Sequence, residues 1–455
     1  MAQRSPRPLS LPPAFNSLAF SVPRSLAHHT PKLRFVWNAL LVASIILYVY
    51  RISFFGINLS LFRILFIFWF LVLLKDLLLR KIILRKSYLF LLSIILMISS
   101  IQAIDAIRME NLSWYGKEIF NHMTNLLLVF LVVTYFDTEQ RLHSLIRMFI
   151  AGSIFALLIS LFTLISGHLP FETLLRPFYS EYMQEHVYLV RYRSSLRLAS
   201  SFFDPNFYGV YICLVIIFCL YYLHFIRRSP LVRLVLYVNL CALIFTMSRT
   251  SLVGVLVLFL ISLCMIRGFA SRWVPRMIFL LLLGLVMVLV FSDRLANSDL
   301  LFRLYDPESL IDRMRYIDNG LEAFVRNPIL GVGTEGLLSD EVPVPSTHIV
   351  YLSLLAKHGI LGFFVYSIFL FYPLFYVFSI KKRLAPGFQY LILCIQGTLL
   401  TIFLAYDLFK FLEFEYLVFG IVYSVILNGL GHKEQDPSSG AKKVRGQSPI
   451  PCAAS

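Results

Sequence analysis

Two polar stretches interrupt an otherwise apolar chain, and both are armed with arginine. Residues 167–205 carry Arg176, Arg191, Arg193 and Arg197; residues 292–348 carry Arg294, Arg303, Arg313, Arg315 and Arg326. Neither contains lysine, although lysines occur elsewhere in the chain. A guanidinium stays charged in any surroundings and grips phosphate or carboxylate through a planar two-point fork, which an ammonium cannot do. Arginine also snorkels at a membrane boundary, so the set reads either as an anion grip or as interfacial anchoring. Arg249, in the turn Ser248-Arg249-Thr250, carries the same two readings: a further phosphate-facing cation flanked by hydroxyls, or an anchor. His348 closes the second stretch where the chain turns apolar again, and an imidazole there is suited to act as a general base near neutral pH.

Local signals show how these groups are carried. Asp306-Pro307 is a helix start, with an acid as N-cap and Pro in the first turn, and Asn327-Pro328 is a stop. Between them Met314, Ile317, Leu321 and Phe324 recur at helical spacing. The expected helix lies on the membrane or on the bundle, with Arg313 tucked toward the protein and Arg315 and Arg326 toward water. Gly331-Val332-Gly333 then turns the chain back, and Pro343, Pro345 and a new helix start position His348. A second start, Asp204-Pro205-Asn206, follows directly on Arg191, Arg193 and Arg197.

The surroundings are membrane. The 455 residues are 58% hydrophobic, with a mean hydropathy of +0.77, well beyond ordinary soluble domains. Apolar runs long enough to span fall near 35–50, 57–74, 88–104, 119–136, 145–166, 206–226, 231–247, 250–266, 274–291, 349–379, 388–406 and 411–429. The 349–379 run is too long for one span and is expected to begin with a short outer helix before Gly359-Ile360-Leu361-Gly362. The expected fold is therefore all-α: a polytopic transmembrane helix bundle of about 12 spans in residues 35–431, with a periplasmic helical loop between spans 9 and 10. Disordered cytoplasmic tails are expected at 1–34 and 432–455, and no cleavable signal leads the chain.

The net charge of +16 follows the positive-inside rule and does not point to nucleic acid. Lys and Arg crowd the N-terminal tail, the turn at 75–86, Arg227-Arg228, Arg267 to Arg276, Lys381-Lys382-Arg383 and the C-terminal tail. That puts both termini inside and the two arginine stretches outside. Arg63, inside the second run, reads either as a functional intramembrane charge or as a snorkelling one, and the cluster Asp407, Lys410, Glu413 and Glu415 reads as local pairing. The cysteines have no metal-ligand or disulfide spacing, and Cys452-Ala-Ala-Ser matches a prenylation box by pattern alone.

Arginines beside a bilayer, one histidine and no paired carboxylates suit displacement at a lipid diphosphate. The leaving diphosphate needs its charge neutralised, which fixed guanidiniums do, and the attacking sugar hydroxyl needs a base. No cofactor or metal is called for. The partners would be a lipid-linked glycan donor, an acceptor glycan or glycolipid, and the bilayer. The competing class is a transporter or flippase of lipid-linked glycans, which expects broken helices and polar groups at mid-membrane.

Several pieces, in order, resemble the O-antigen ligase and O-antigen polymerase superfamily of bacterial inner-membrane glycan transferases, over roughly residues 195–365. They are Arg197 with Phe203-Asp204-Pro205-Asn206; Ser248-Arg249; Arg313 with Asn327-Pro328-Ile329-Leu330-Gly331-Val332-Gly333; and His348 with Tyr351-Leu352 and Gly359-Ile360-Leu361-Gly362. The resemblance implies metal-independent transfer of a glycan from undecaprenyl diphosphate to an acceptor sugar on the periplasmic face. It implies Arg197 and Arg313 as diphosphate ligands, His348 as base and Arg249 in support, with Arg191 and Arg193 as further cations beside the diphosphate. The chain departs from the family at Ile349, where an Asn often follows the His.

Overall fold

The computed structural model describes residues 31–47, 51–54, 57–79, 85–108, 112–166, 198, 200, 202, 204–246, 248–271, 307–333, 337, 347, 349–380, 384–404 and 413–430. The helices are α1 (Pro31–Ile46), α2 (Leu61–Leu78), α3 (Lys86–Arg108), α4 (Leu112–Tyr135), α5 (Glu139–Ser166), α6 (Pro205–Tyr221), α7 (Pro230–Thr246), α8 (Arg249–Met265), α9 (Pro307–Arg326), α10 (Val350–Ile380), α11 (Pro386–Phe403) and α12 (Glu413–Leu427). A π-helical turn, Tyr222–Ile226, extends α6. Eleven of the twelve expected apolar runs coincide with a helix, and the run 274–291 lies outside the described residues.

Five helices are long and apolar enough to cross a bilayer: Lys86–Arg108, Glu139–Thr163, Pro205–Ile226, Val350–Ile380 and Pro386–Phe403. Four further apolar segments are shorter: His122–Tyr135, Pro230–Thr246, Arg249–Met265 and Phe414–Leu427. The chain is a multi-pass membrane protein by these helices. Helix α6 is the axis of the bundle, buried along nearly its whole length, and packs on α5, α7, α8 and α11. Helix α12 packs along α4, α8 along α11, and α10 against α3, α9 and α11. Leu, Ile and Phe side chains on α3, α5, α7, α8 and α10 stay exposed, as lipid-facing helices require.

The bundle has two chemically distinct ends. At one, the Tyr88 hydroxyl meets Asn428 Oδ1 at 2.6 Å, Asn428 Nδ2 donates to the Val133 carbonyl, and His143 Nε2 lies 3.0 Å from the Tyr221 hydroxyl. Arg85, Lys86, Arg141, Arg227 and Arg228 sit in the segments gathered there. At the other end meet the start of α6, the α7–α8 turn, the end of α3 and the start of α10. Phe202 stands edge-on to Phe414 at 5.8 Å, and the Tyr351 hydroxyl donates to the Leu400 carbonyl at 3.1 Å.

The all-α class holds with one addition: Arg51–Phe54 and Ile57–Ser60 pair as a small antiparallel hairpin between α1 and α2. Helix α1 begins at Pro31, inside the stretch expected as a tail. The long run does break where expected, but the sequence did not show why: Gly359 has φ 61° and ψ −168°, a conformation only glycine adopts readily. Both calls for the terminal tails otherwise lie outside the described residues, as does Cys452.

Candidate functional site

The site is built at the second end of the bundle, starting with the segment that leads into α6. The Leu198 amide donates to the Phe245 carbonyl at 3.1 Å, and the Ser200 hydroxyl donates to the Ala156 carbonyl at 2.7 Å. Phe202 is fully buried and stacks on Tyr208 at 5.8 Å. Asp204 then caps α6: its carboxylate accepts from the Asn206 amide at 2.8 Å, and Pro205 opens the first turn, as its sequence signature predicts. The residue after Arg197 is thus anchored beside the turn that carries Arg249.

That turn differs in one respect from the sequence reading. Ser248 is the N-cap of α8; its hydroxyl meets Ser251 Oγ at 2.8 Å and accepts from the Ser251 amide. Ser248, Thr250 and Ser251 are buried, while Arg249 is exposed. The Ser248 hydroxyl therefore serves the helix end.

The second part is α9 against the start of α10. Helix α9 runs between the predicted start and stop, and it is strongly amphipathic. Gly320 and Ala323 are buried, and a Cβ on Gly320 would collide with the Thr347 methyl. Arg313 lies two turns before Gly320 on the same face and is half-buried, whereas Arg315 and Arg326 are exposed. Arg326 pairs with Glu322 at 2.6 Å on the outer face. The apolar stripe itself splits: Ile317 and Phe324 turn inward, but Met314 and Leu321 are exposed at 58% and 48%. Small residues permit the close helix contact, and the large ones are rotated outside it. Thr347 is buried, its amide donating to Ser353 Oγ at 3.1 Å and its hydroxyl to the Ile349 carbonyl at 2.8 Å. The residues on both sides of His348 are therefore fixed to the first turn of α10.

The third part ties these arms together. The strand-like segment after α9 docks on the break in α10. Val332 and Gly333 amides donate to the Ala356 and Lys357 carbonyls, each at 2.9 Å, and Ile360 and Leu361 amides donate to the Pro328 and Ile329 carbonyls at 2.8 and 3.3 Å. Gly331 (φ 72°) and Gly359 (φ 61°) make this crossing, and neither has room for a Cβ.

Beneath the crossing, Asp105 on α3 is 3% exposed and its Oδ2 lies 2.6 Å from His358 Nδ1. Its Oδ1 is 3.9 Å from Arg108, which donates to the Leu330 and Gly331 carbonyls at 3.5 and 3.3 Å. The His358 ring stacks on Tyr366, with centroids 5.6 Å apart. The Tyr366 hydroxyl accepts from Gln102 and meets His122 Nε2, both at 2.9 Å, and His122 Nδ1 is 3.4 Å from the Tyr416 hydroxyl.

Sequence reasoning missed this network. Gln102 sits in one apolar run and His122 in another, and nothing along the chain brings them to His358. Asp105 lies one residue past the run ending at 104, and only the extension of α3 to Arg108 places its charge within a spanning helix. Of the residues singled out from sequence, Arg313 and Arg249 are described, while Arg191, Arg193, Arg197 and His348 lie outside the described residues. Glu415 is buried, at 1%, and Arg63 is half-buried.

A comparison with family models matches residues 234–367 to the family described as O-antigen ligase. The matched stretch runs from α7 through α8 and α9 to just past the middle of α10, and so spans the Arg249 turn, the arginine helix and the glycine crossing. Over these residues, under a third of its length, the chain is similar to the O-antigen ligase family, a family of glycan-transferring enzymes. A comparison with curated proteins finds no match to the chain.

Proposed function

We propose that this protein transfers a glycan from undecaprenyl diphosphate to an acceptor sugar on the periplasmic face of the bacterial inner membrane. The observation that carries the reading is Arg313. Of the three α9 arginines, two are exposed and this one is half-buried on the face turned to α10, inside the segment matched to the O-antigen ligase family. A guanidinium held at that face has a use other than solubility, and the family chemistry supplies one.

In the proposed reaction the acceptor hydroxyl attacks the anomeric carbon of the donor sugar. A carbon–oxygen bond to the acceptor forms, the bond to the diphosphate oxygen breaks, and undecaprenyl diphosphate leaves with the bonding pair. His348 takes the hydroxyl proton. Arg313 and Arg197 hold the departing diphosphate by forked hydrogen bonds, which strengthen as its charge develops. Arg191, Arg193 and Arg249 add positive potential around it, and the polyprenyl chain lies along the apolar outer faces of the bundle. The crowding of Arg85, Lys86, Arg141, Arg227 and Arg228 at the opposite end supports a periplasmic site under the positive-inside rule. Both termini are then cytoplasmic.

The test is purified protein given a synthetic polyprenyl-diphosphate glycan and a choice of acceptors: lipid A core, a second lipid-linked unit or a peptide. The product names the acceptor, and full activity in EDTA supports metal independence. Movement of the intact lipid-linked glycan across a vesicle without transfer would instead support the flippase reading.

A further inference from the structure

Asp105, Arg108 and His358 are not used by the reaction just proposed, yet the buried Asp105 and His358, with the more exposed Arg108 beside them, form the polar centre of the crossing on which its parts hang. Two arms meet there. Helix α9 carries Arg313 and runs through Asn327 into Gly331, while the first section of α10 starts beside His348 and ends at His358. The angle between these arms is fixed at their touching ends, at Gly320 against Thr347 and at the Gly331–Gly359 crossing.

We infer that Asp105 and His358 are positioning residues: their hydrogen bond locks the crossing to α3 and so sets where Arg313 stands relative to the start of α10. Four backbone hydrogen bonds hold the crossing, and among the described residues nothing covers the apolar side chains on its outer side. Ile329 and Ile360 are 68% and 56% exposed. Its inner side is held through one carboxylate, with His358 on one oxygen and Arg108 near the other, and Arg108 reaches on to the turn's own carbonyls. The imidazole has no slack, because its face lies on Tyr366, which Gln102 and His122 hold in turn. A buried hydrogen bond of this kind supplies direction, and here direction decides the torsions around Gly359. The inference rests on the transfer reading for Arg313 and His348, and its structural half can be tested apart from it.

Full-length protein in nanodiscs is measured in two ways, by amide hydrogen exchange and by transfer kinetics. His358→Ala should raise exchange at Val332, Gly333, Ile360 and Leu361 by about tenfold or more and leave α6 and α12 protected. It should also lower kcat by on the order of 10²-fold, the scale of an ångström-sized misplacement, with the donor KM within about twofold. His358→Asn sets an amide nitrogen near the place of Nδ1 and should recover most of both, whereas His358→Gln should not. Asp105→Asn keeps an acceptor for His358 but removes the charge facing Arg108, and should fall between. Unchanged exchange in His358→Ala overturns the lock, and raised exchange with normal kcat overturns the positioning role. Failure of both the Ala and Asn variants to fold makes the pair merely structural and also overturns it. If the wild-type protein transfers no glycan, the reaction assigned above fails, and exchange alone still decides the lock.

Discussion

Gly331 and Gly359 each seat on the peptide that precedes the other. The missing Cβ of Gly331 points at the Lys357–His358 peptide, and that of Gly359 at the Ile329–Leu330 peptide. This reciprocal contact turns two glycine-bearing motifs, far apart in sequence, into one structural element. Four predictions follow from it and from the arms it joins.

The first concerns the crossing itself. Gly359→Ala places a Cβ against backbone at φ 61° and ψ −168°. The strain alone is about 1–3 kcal/mol, and the backbone overlap adds to it. Thermal unfolding in detergent should begin several degrees lower, and Gly331→Ala should behave alike. A wild-type melting curve for both variants would mean the two segments do not approach this closely.

Arg313→Lys tests the fork. The substitution keeps the charge at a half-buried position but loses the two-point grip. Transfer should drop by on the order of 10²-fold, the scale seen when one oriented donor is removed from a developing anion, with little change in melting temperature. Arg326→Lys is the control: its pair with Glu322 is exposed at 63% and 64%, and such a pair contributes roughly 0–1 kcal/mol. Equal activity in both variants removes Arg313 from the grip.

His348→Ala is expected to abolish turnover and spare donor binding. An imidazole that only takes the proton contributes nothing to holding the diphosphate. The measurement is a binding isotherm with labelled lipid-linked glycan beside single-turnover kinetics. Turnover near the wild-type rate would assign the base elsewhere.

Gly320→Val should push α9 off α10. Its side chain would meet the Thr347 methyl and Leu352, and overpacking of this kind costs about 1–3 kcal/mol. The protein should still fold, since α9 lies at the rim of the bundle, while kcat falls because Arg313 shares that face. Loss of donor affinity with unchanged kcat would argue that the helix positions substrate only on binding.

Much of this architecture was legible along the chain. Apolar runs located the helices because a helix in lipid must satisfy its own backbone and present apolar side chains on every lipid-facing side. Asp204-Pro205 and Pro307 to Asn327 marked helix ends because capping is chemistry between residues a few positions apart. The inward turn of Arg313 was readable from helical periodicity. The stripe beside it misled, since size as well as polarity decides a helix contact. Met314 and Leu321 have the right spacing, but Gly320 and Ala323 allow the close approach, and the contact follows them.

The sequence by itself determined that this is a multi-pass helical membrane protein with a capped arginine helix and a glycine break after His358, and it carries motifs that resemble those of a glycan-transferring family. The helices, caps and break follow from local rules of solvation, periodicity and capping. Only the tertiary structure decided that Gly331 meets Gly359, that Asp105 faces His358 across two helices, and that Ser248 serves a helix end. Such pairings depend on which helices are neighbours and how they are rotated. That is set by packing over the whole bundle, so no window of the chain contains it.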